Sequence, residues 1–211
     1  MQHYSDSGQD LVVIRKLGKS GFFVDVGAGE INGSNTMLLE EIGWSGLCIE
    51  PHPRNSEIIR TNRSCLLDTS IVASIEEEVD FVIQERDVVE GVRHHASYGG
   101  SGIIKHMAKD HLNNHVIRLL GGRIVTVRTR KLENILDQYS CPNVIDFLDI
   151  DVEGAQLDVI KDFPFNRYKF KIINIEVGEC RADIDKLLCS NNYKVMKEFG
   201  FDVMYINKEF V

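Results

Sequence analysis

Residues 22–36 read FFVDVGAGEINGSNT. Phe22–Val26 predicts a buried strand, and Asn35–Ile42 predicts the helix that follows it. The glycines between them allow the positive φ angles of a tight turn and let a ligand approach the backbone closely. In an open α/β sheet such a turn lies beside the ligand crevice. This segment therefore predicts both the fold class and the place of the site.

Apolar strands alternate with helical segments along the chain, which predicts a doubly wound, mostly parallel α/β sheet with helices on both faces. Further strands are expected over Gly46–Glu50, Cys65–Asp68, Val79–Ile83, Ile124–Arg128, Val144–Ile150 and Lys171–Val177, and further helices over Pro53–Asn62, Lys131–Gln138, Ala155–Lys161 and Ala182–Ser190. Tyr193–Glu198 and Asp202–Asn207 are separated only by Phe199-Gly200-Phe201, and so short a connection joins antiparallel neighbours. We predict a seven-stranded sheet ending in an antiparallel hairpin, a pattern typical of Rossmann-like methyltransferases.

Composition places the chain among soluble globular proteins. It has 211 residues, 43% hydrophobic and 27% charged, with a net charge of −8 that argues against a general nucleic-acid coat. No apolar run approaches the roughly 20 residues of a membrane span, and the N-terminus lacks a secretory pattern. Five cysteines without a Cys-x-x-Cys pair are expected to be reduced, mostly buried thiols. We therefore expect one cytoplasmic domain over residues 1–211, without a metal site.

A basic, histidine-rich insertion is expected at about residues 85–123. His94 and His95 lie in its glycine-rich part, and a helix is predicted over Ile103–Leu120. An electropositive insertion on an acidic chain could attract an anionic substrate. We expect a loop that closes over the site, which makes the two histidines candidate bases.

Glycine spacing distinguishes between the possible ligands. A dinucleotide fingerprint requires Gly-x-Gly-x-x-Gly, but Asn32 stands where its third glycine would be. Asp25 precedes the first glycine by two residues, where it would repel a pyrophosphate and favour a cationic amino-acid group. S-adenosylmethionine carries both an ammonium and a sulfonium. The alternative is that Asp25 only caps the turn through hydrogen bonds.

Acidic residues at the ends of the next two strands fit an adenosine-bearing ligand. Glu50 is placed to accept hydrogen bonds from ribose hydroxyls, as acids do in dinucleotide sites, and Pro51 follows it. Asp68, Thr69 and Ser70 end the third strand, where adenine would lie. An ordinary turn explains these last three residues equally well.

A second motif, DFLDIDVEGA, occupies residues 146–155. Asp149 and Asp151 are two residues apart and so share one face of the strand, and Glu153 precedes a glycine turn. These acids could act as a general base or as orienting acceptors beside the reacting group. They could instead cap the following helix or, with Glu176, bind a divalent cation.

The chain resembles the FkbM-type S-adenosylmethionine-dependent methyltransferases over nearly its whole length. The matching pieces are Gln9-Asp10, FFVDVGA at 22–28, Ser34-Asn35-Thr36, GWSGLCIEPHP at 43–53, Asn62-Arg63 and IDVEGA at 150–155. The resemblance implies a class I methyltransferase fold and transfer of methyl to hydroxyl oxygens of sugars or natural products. The cofactor residues it indicates, with those above, are Asp25, Gly27, Ala28, Gly29, Gly33, Ser34, Asn35, Thr36, Glu50, Pro51, Asp68, Thr69, Ser70 and Asp149. The glycine turn is two residues longer than the family commonly has.

The function we expect is O-methylation of a small-molecule or glycan hydroxyl, by in-line transfer from S-adenosylmethionine. Candidate catalytic residues are Asp149, Asp151, Glu153, His94 and His95. One alternative is an NAD(P)-dependent oxidoreductase, which Glu50 permits but the glycine spacing disfavours. Another is a nucleic-acid-linked methyltransferase or binding module using the basic insertion, which the net charge of −8 disfavours. No membrane partner is expected.

Overall fold

A computed structural model describes residues 3–84, 100–107 and 122–211. His94 and His95 lie outside the described residues, as does most of the basic insertion. Within the described ranges, no helix is both long enough and apolar enough to cross a bilayer.

The described residues form ten strands and seven helices. The strands are β1 Phe22–Val26, β2 Ser45–Ile49, β3 Leu66–Asp68, β4 Glu78–Gln84, β5 Gly102–Ile103, β6 Gly122–Arg128, β7 Val144–Ile150, β8 Lys169–Glu176, β9 Tyr193–Phe199 and β10 Asp202–Asn207. The helices are α1 Gln9–Leu17, α2 Met37–Glu41, α3 Pro53–Asn62, α4 Ile104–Met107, α5 Leu132–Gln138, α6 Gln156–Ile160 and α7 Arg181–Ser190.

The main sheet has seven strands in the order β3-β2-β1-β7-β8-β10-β9. Its strands are parallel except β10, which runs antiparallel to both β8 and β9. The predicted fold class, including the antiparallel hairpin, is confirmed. Strand order reverses between β1 and β7, and the ligand crevice of an open α/β sheet lies at that reversal.

Two predicted strands lie outside the main sheet. β4 pairs antiparallel with both β5 and β6 in a separate three-stranded sheet. The strand periodicity over Val79–Ile83 and Ile124–Arg128 is real, but periodicity does not specify a pairing partner. The predicted helix over Ile103–Leu120 begins one residue late, because Ile103 pairs with Phe81 in this sheet. Beyond Met107 that helix lies outside the described residues.

Alternation along the central strands divides their side chains between two cores. Val24 packs in the core beneath α5, α6 and α7, whereas Phe23 packs in the core beneath α1, α2 and α3. Asp25 follows Phe23 by two residues and Asp149 follows Phe147 by two, so both acids face the α1–α3 side. Helices therefore cover both faces, as predicted.

The cysteines differ from expectation in their burial. Cys48 and Cys141 are buried, Cys65 and Cys180 are half-buried, and Cys189 is exposed, all with free thiols. The expectation of mostly buried thiols was wrong: Cys65 lies just before β3, Cys180 just before α7 and Cys189 near the end of α7.

Gly46 on β2 packs against the ring of Phe23 on β1 so closely that no residue with a side chain fits at this position. A Cβ on Gly46 would lie 2.3 Å from the ring of Phe23, which has no exposed surface. We expect Gly46→Ala to destabilise the protein by about 1–3 kcal/mol, because an overpacked core must shift side chains or backbone. Chemical denaturation measures this loss.

Ser45→Ala, at the exposed neighbouring position, is the matched control and should change stability by less than about 0.5 kcal/mol. Phe23→Leu in the Gly46→Ala background should recover part of the loss by making room. Equal stability of Gly46→Ala and the wild type would contradict the close packing of Gly46 against Phe23.

Candidate functional site

A row of polar side chains crosses the centre of the main sheet. Strand register places Asp25 beside Cys48 on one side and Asp149 on the other, and Asp149 beside Asn174. Asp25, Asp149 and Asn174 are each at most 4% exposed. Burying such groups is costly unless they are paired, so their partners decide how stable the row is.

Asp25 is paired inside the protein. Its Oδ2 accepts a hydrogen bond from the Thr36 hydroxyl and lies 4.0 Å from Nη1 of buried Arg63. Burial raises the pKa of Asp25, while the Arg63 guanidinium and the Thr36 hydroxyl oppose that rise. Arg63 also donates to Glu40 Oε2 at 2.8 Å and stacks 5.4 Å from the Phe23 ring centroid. Asp25 thus connects β1 to the start of α2 and the end of α3.

Asp149 is held by two amides. Asn35 Nδ2 donates to its Oδ2 at 3.0 Å, and Asn174 Nδ2 donates to its Oδ1 at 2.8 Å. Burial, and next the charge of Asp25, raise the pKa of Asp149 well above its usual range. Its carboxyl group is therefore fixed in orientation and has a raised affinity for a proton.

Asp151 differs from Asp149 because its side chain is open to the crevice. Its backbone N–H donates to Val26 O at 2.9 Å, which fixes the residue at the end of β7. Desolvation by the surrounding crevice, followed by the charges of Glu176 and Glu153, raises the pKa of Asp151 well above its usual range. Asp151 is an accessible acid with raised proton affinity.

The glycine turn after β1 brings the ends of three strands together. Gly27 has a φ of +83°, and a Cβ there would lie 1.8 Å from the carbonyl oxygen of Asp151. Its N–H donates to Ile49 O at 2.9 Å. The turn after β1 thus fits against the ends of β2 and β7 only because Gly27 has no side chain.

Glu50, at the end of β2, accepts two backbone hydrogen bonds. Gly29 N donates to its Oε2 at 2.8 Å and His52 N donates to its Oε1 at 2.7 Å. Burial raises the pKa of Glu50 to about 7, although the two N–H donors oppose the rise. A folded-state pKa above the unfolded one means that the ionised group costs stability as the pH rises from about 4.5 through 7.

Two adjoining cavities open at these strand ends. Both are lined by Gly27, Gly29, Asn55, Asp151 and Glu153. The first, named here the apolar cavity, is also lined by Val26, Ile49, Ile71, Val72, Phe81 and Ile103, with Glu50 and Ser70 among its polar groups. The second, named the acidic cavity, is also lined by Asp6, Asp25, Glu30 and Asp149.

Most of the predicted cofactor residues line one cavity or both. These are Asp25, Gly27, Ala28, Gly29, Gly33, Ser34, Asn35, Glu50, Pro51, Ser70 and Asp149. Thr36, Asp68 and Thr69 are not among the lining residues. Thr36 acts through Asp25, and Asp68 accepts from Ser70 N at 2.7 Å, which shapes the turn after β3.

Glu153 attaches the turn after β7 to the three-stranded sheet. It has a φ of +56°, which is uncommon for a residue with a side chain, and its Oε1 accepts from Gly100 N at 2.8 Å. In the same region His106 Nε2 lies 3.1 Å from Asp158 Oδ2. The segment 100–107 is therefore bonded to the wall of the crevice.

The N-terminal segment forms part of the crevice wall. Gly33 N donates to Tyr4 O at 3.0 Å, and Ser5 forms an isolated parallel β-bridge with Gly33. This places Asp6 in the lining of the acidic cavity. Sequence patterns gave no indication of Asp6 or Asn55, which are brought to the site by tertiary contacts alone. Asn62-Arg63 is one of the pieces that match the FkbM-type family, and this match was the signal in the sequence that pointed to Arg63.

The acids of the site do not form a metal centre in the part of the chain that the structure describes. No group of three or more His, Cys, Asp or Glu residues there is arranged to hold a metal ion. Glu176, a candidate metal ligand by sequence, lines neither cavity, and its Oε2 accepts from Gln156 Nε2 at 2.7 Å.

This strand order, a glycine turn after β1 and acids at the ends of β1, β2 and β7 define a Rossmann-like methyltransferase class of site. The family model described as "Methyltransferase FkbM domain" matches residues 25–202. The chain belongs to this family, and it is a transferase. No curated protein sequence matches it significantly.

Two solved structures resemble the fold. A precorrin-6y C5,15-methyltransferase from Geobacter metallireducens GS-15 is 15% identical with a TM-score of 0.44, covering 93% of this chain and 84% of that one. A ribosomal protein L11 methylase from Lactobacillus delbrueckii subsp. bulgaricus is 12% identical with a TM-score of 0.41, covering 93% and 74%. The family assignment rests on the sequence match.

The Arg63–Asp25 pair yields a stability prediction. Arg63→Met should destabilise the protein by about 3–5 kcal/mol at pH 7, because it leaves Asp25 buried without its cation. The deficit should shrink as the pH falls toward 4, since burial raises the pKa of Asp25 and protonation removes the unpaired charge. Denaturant titrations at several pH values measure both effects.

Arg60→Met is the matched control, since Arg60 pairs with Glu57 on the exposed face of α3. It should change stability by less than about 1 kcal/mol. Asp25→Asn combined with Arg63→Met should recover part of the loss. A pH-independent deficit in Arg63→Met would refute the proposed pairing.

Proposed function

We propose that the protein transfers a methyl group from S-adenosylmethionine to a hydroxyl oxygen of a sugar or another small acceptor. The observation that carries the proposal is the pair of joined cavities, one apolar and one acidic, in a chain of the FkbM methyltransferase family. An apolar cavity suits a purine base, and a cavity lined by carboxylates suits an ammonium and a sulfonium.

The residues present fit this cofactor. Gly27 leaves a space at the strand ends that a Cβ would fill, and Asn55 presents a buried amide oxygen without a partner. Glu50 is the residue that would hold the ribose, by accepting hydrogen bonds from its hydroxyls. Asp25 and Asp149 would favour the cationic amino-acid end through the field of the acidic cavity.

The bound cofactor would supply an electrophilic methyl group. The chain's own part would be to orient the acceptor, exclude water and take the hydroxyl proton, and alignment alone is worth several kcal/mol. Among the predicted catalytic acids, Asp151 suits the role of base because it is accessible and has raised proton affinity. Asp149 is engaged by two amides and Glu153 by Gly100 N, so these two suit orienting roles.

The alternative functions receive less support from the described residues. A dinucleotide would place its pyrophosphate against the acidic cavity, where Asp25 and Asp149 would repel it. The nucleic-acid alternative depends on the basic insertion and is disfavoured by the net charge of −8. An anionic acceptor remains a prediction tied to the basic insertion, most of which lies outside the described residues. We also propose a cytoplasmic location and a small-molecule or glycan acceptor.

Binding of S-adenosylhomocysteine tests the cofactor assignment. By calorimetry, its affinity for the wild type should rise severalfold from pH 6 to pH 8, because Glu50 ionises with a pKa of about 7 and a carboxylate accepts hydrogen bonds more strongly than a carboxylic acid. Glu50→Gln should weaken binding by roughly tenfold at pH 8 and reduce the pH dependence.

Two controls accompany this measurement. Glu57→Gln, at an exposed position on α3, should bind like the wild type. The melting temperature of Glu50→Gln without ligand is measured at pH 8, because its amide nitrogen would face one of the two backbone N–H groups that Glu50 accepts from. A folded variant shows that weaker binding is not caused by unfolding. A rise in Tm with NAD(H) or NADP(H), together with none with S-adenosylhomocysteine, would favour the oxidoreductase instead.

Asp151→Asn tests the proposed base. With an acceptor found in a panel of hydroxylated sugars and small natural products, kcat should fall by about 10²–10⁴-fold. Affinity for S-adenosylhomocysteine should change by less than about threefold, since Asp151 is assigned to the proton and not to the cofactor.

The pH profile distinguishes a base from a structural residue. Wild-type kcat should rise with pH through a pKa above the usual aspartate range, because the base acts when deprotonated. Asp162→Asn, at an exposed position, should retain that profile. An Asp151→Asn variant with near wild-type kcat would assign the proton transfer to another group.

A further inference from the structure

Asn55 is a buried polar residue whose side chain has no assigned role. It is 3% exposed, and its amide oxygen has no hydrogen-bond partner in the described part of the chain. Buried side-chain amides are normally paired, and an unpaired one costs stability. Such a group at the edge of a cavity indicates that its partner is a molecule the protein binds.

The start of α3 holds Asn55 firmly in place. Pro53 occupies the first turn of the helix, and the ring of His52 caps it. His52 Nδ1 accepts from the backbone N–H groups of Arg54 and Asn55 at 3.2 and 3.4 Å. Because Gln84 O can only accept, His52 Nε2 donates to it at 2.9 Å. The cap is thus tied to β4, and the position of Asn55 is preorganised.

Asn55 lies where the two cavities join. It lines both of them, as do Gly27, Gly29, Asp151 and Glu153. Of these five, only Asn55 presents a side-chain amide. Glu50, by contrast, lines only the apolar cavity, and Asp149 lines only the acidic one.

We infer that Asn55 binds the ribose of the cofactor and is a second side-chain contact for it beside Glu50. The inference rests on the proposed function, in which adenine occupies the apolar cavity and the amino-acid end occupies the acidic one. The ribose joins these two parts and so must lie at the junction. A hydroxyl group both donates and accepts, so it can pair with either the oxygen or the nitrogen of the amide.

This contact gives the site a neutral partner for the ribose. Glu50 is the only ionisable group assigned to the ribose, and it ionises near pH 7. The amide of Asn55 does not titrate, so it would hold the ribose equally below and above that pH. Asn55 would therefore contribute equally to the affinity at pH 6 and at pH 8.

Calorimetry with S-adenosylhomocysteine and 5′-methylthioadenosine tests the contact. The second ligand keeps adenine and ribose but lacks the amino-acid end. Asn55→Ala should weaken both ligands by the same factor, roughly fivefold to tenfold, because one hydrogen bond is lost in each complex. Asn62→Ala is the matched control, since Asn62 lies exposed on the same helix and bonds only Ile58 O there. It should bind both ligands like the wild type.

Deoxy ligands identify the hydroxyl. When 2′-deoxy or 3′-deoxy forms of 5′-methylthioadenosine are used, the penalty of Asn55→Ala should disappear for the one that lacks the contacted hydroxyl. The melting temperature of each variant without ligand checks folding, and Asn55→Ser replaces Asn55→Ala if the latter does not fold.

Three results would overturn the inference. If Asn55→Ala binds both ligands as tightly as the wild type, the amide is paired by water and does not contact the cofactor. If only S-adenosylhomocysteine is weakened, Asn55 contacts the amino-acid end instead. If the wild type binds neither ligand, the proposed function itself fails, and this outcome is distinct from the other two.

Discussion

Two carboxylates lie side by side in the middle of a buried sheet, and the rest of the site depends on how they are accommodated. Asp25 and Asp149 are register partners on β1 and β7, and the charge of Asp25 adds to burial in raising the pKa of Asp149. Arg63 partly neutralises the first, whereas in the part of the chain that the structure describes the second is held by the amides of Asn35 and Asn174. Neither carboxylate is fully compensated for its burial by these partners. Both carboxylates line the acidic cavity, where the proposed cationic end of the cofactor would pair with them.

Some of this arrangement could be predicted from local sequence. Phe22–Val26, Pro53–Asn62 and Val144–Ile150 have the predicted bounds, because buried strands and a proline-started helix leave strong local patterns. Gly27 and Glu50 could be placed at the crevice because each stands at the end of a predicted strand, and strand ends of an open α/β sheet line its ligand crevice. Arg63 and Asn55 were not assigned roles, since their importance comes from contacts made across the fold. The pairing of β4 with β6 was missed for the same reason.

Three acids of the site have different proposed roles because their hydrogen-bond partners and their exposure to solvent differ. Glu50 accepts two backbone hydrogen bonds, Asp149 accepts two side-chain amides, and Asp151 is open to the crevice. Burial raises the pKa of all three, but only Asp151 combines that shift with access. Residue type and spacing placed all of these acids in one site. Hydrogen-bond partners, which the sequence does not encode locally, separate the proposed base from the orienting groups.

The crevice has two walls of different origin. The wall proposed to bind the cofactor is built from the ends of β1 and β2 and the start of α3, whose positions are fixed by main-sheet pairing and by the cap on α3. The opposite wall includes the turn after β7, which is bonded through Glu153 to Gly100 beside the three-stranded sheet. That second sheet pairs with no strand of the main one among the described residues. The same sheet also supplies Phe81 and Ile103 to the apolar cavity, and Gln84 O of β4 accepts from the ring of His52 that caps α3. A change in the second sheet would therefore be felt on both walls, so the fold couples the proposed acceptor side to the proposed cofactor side.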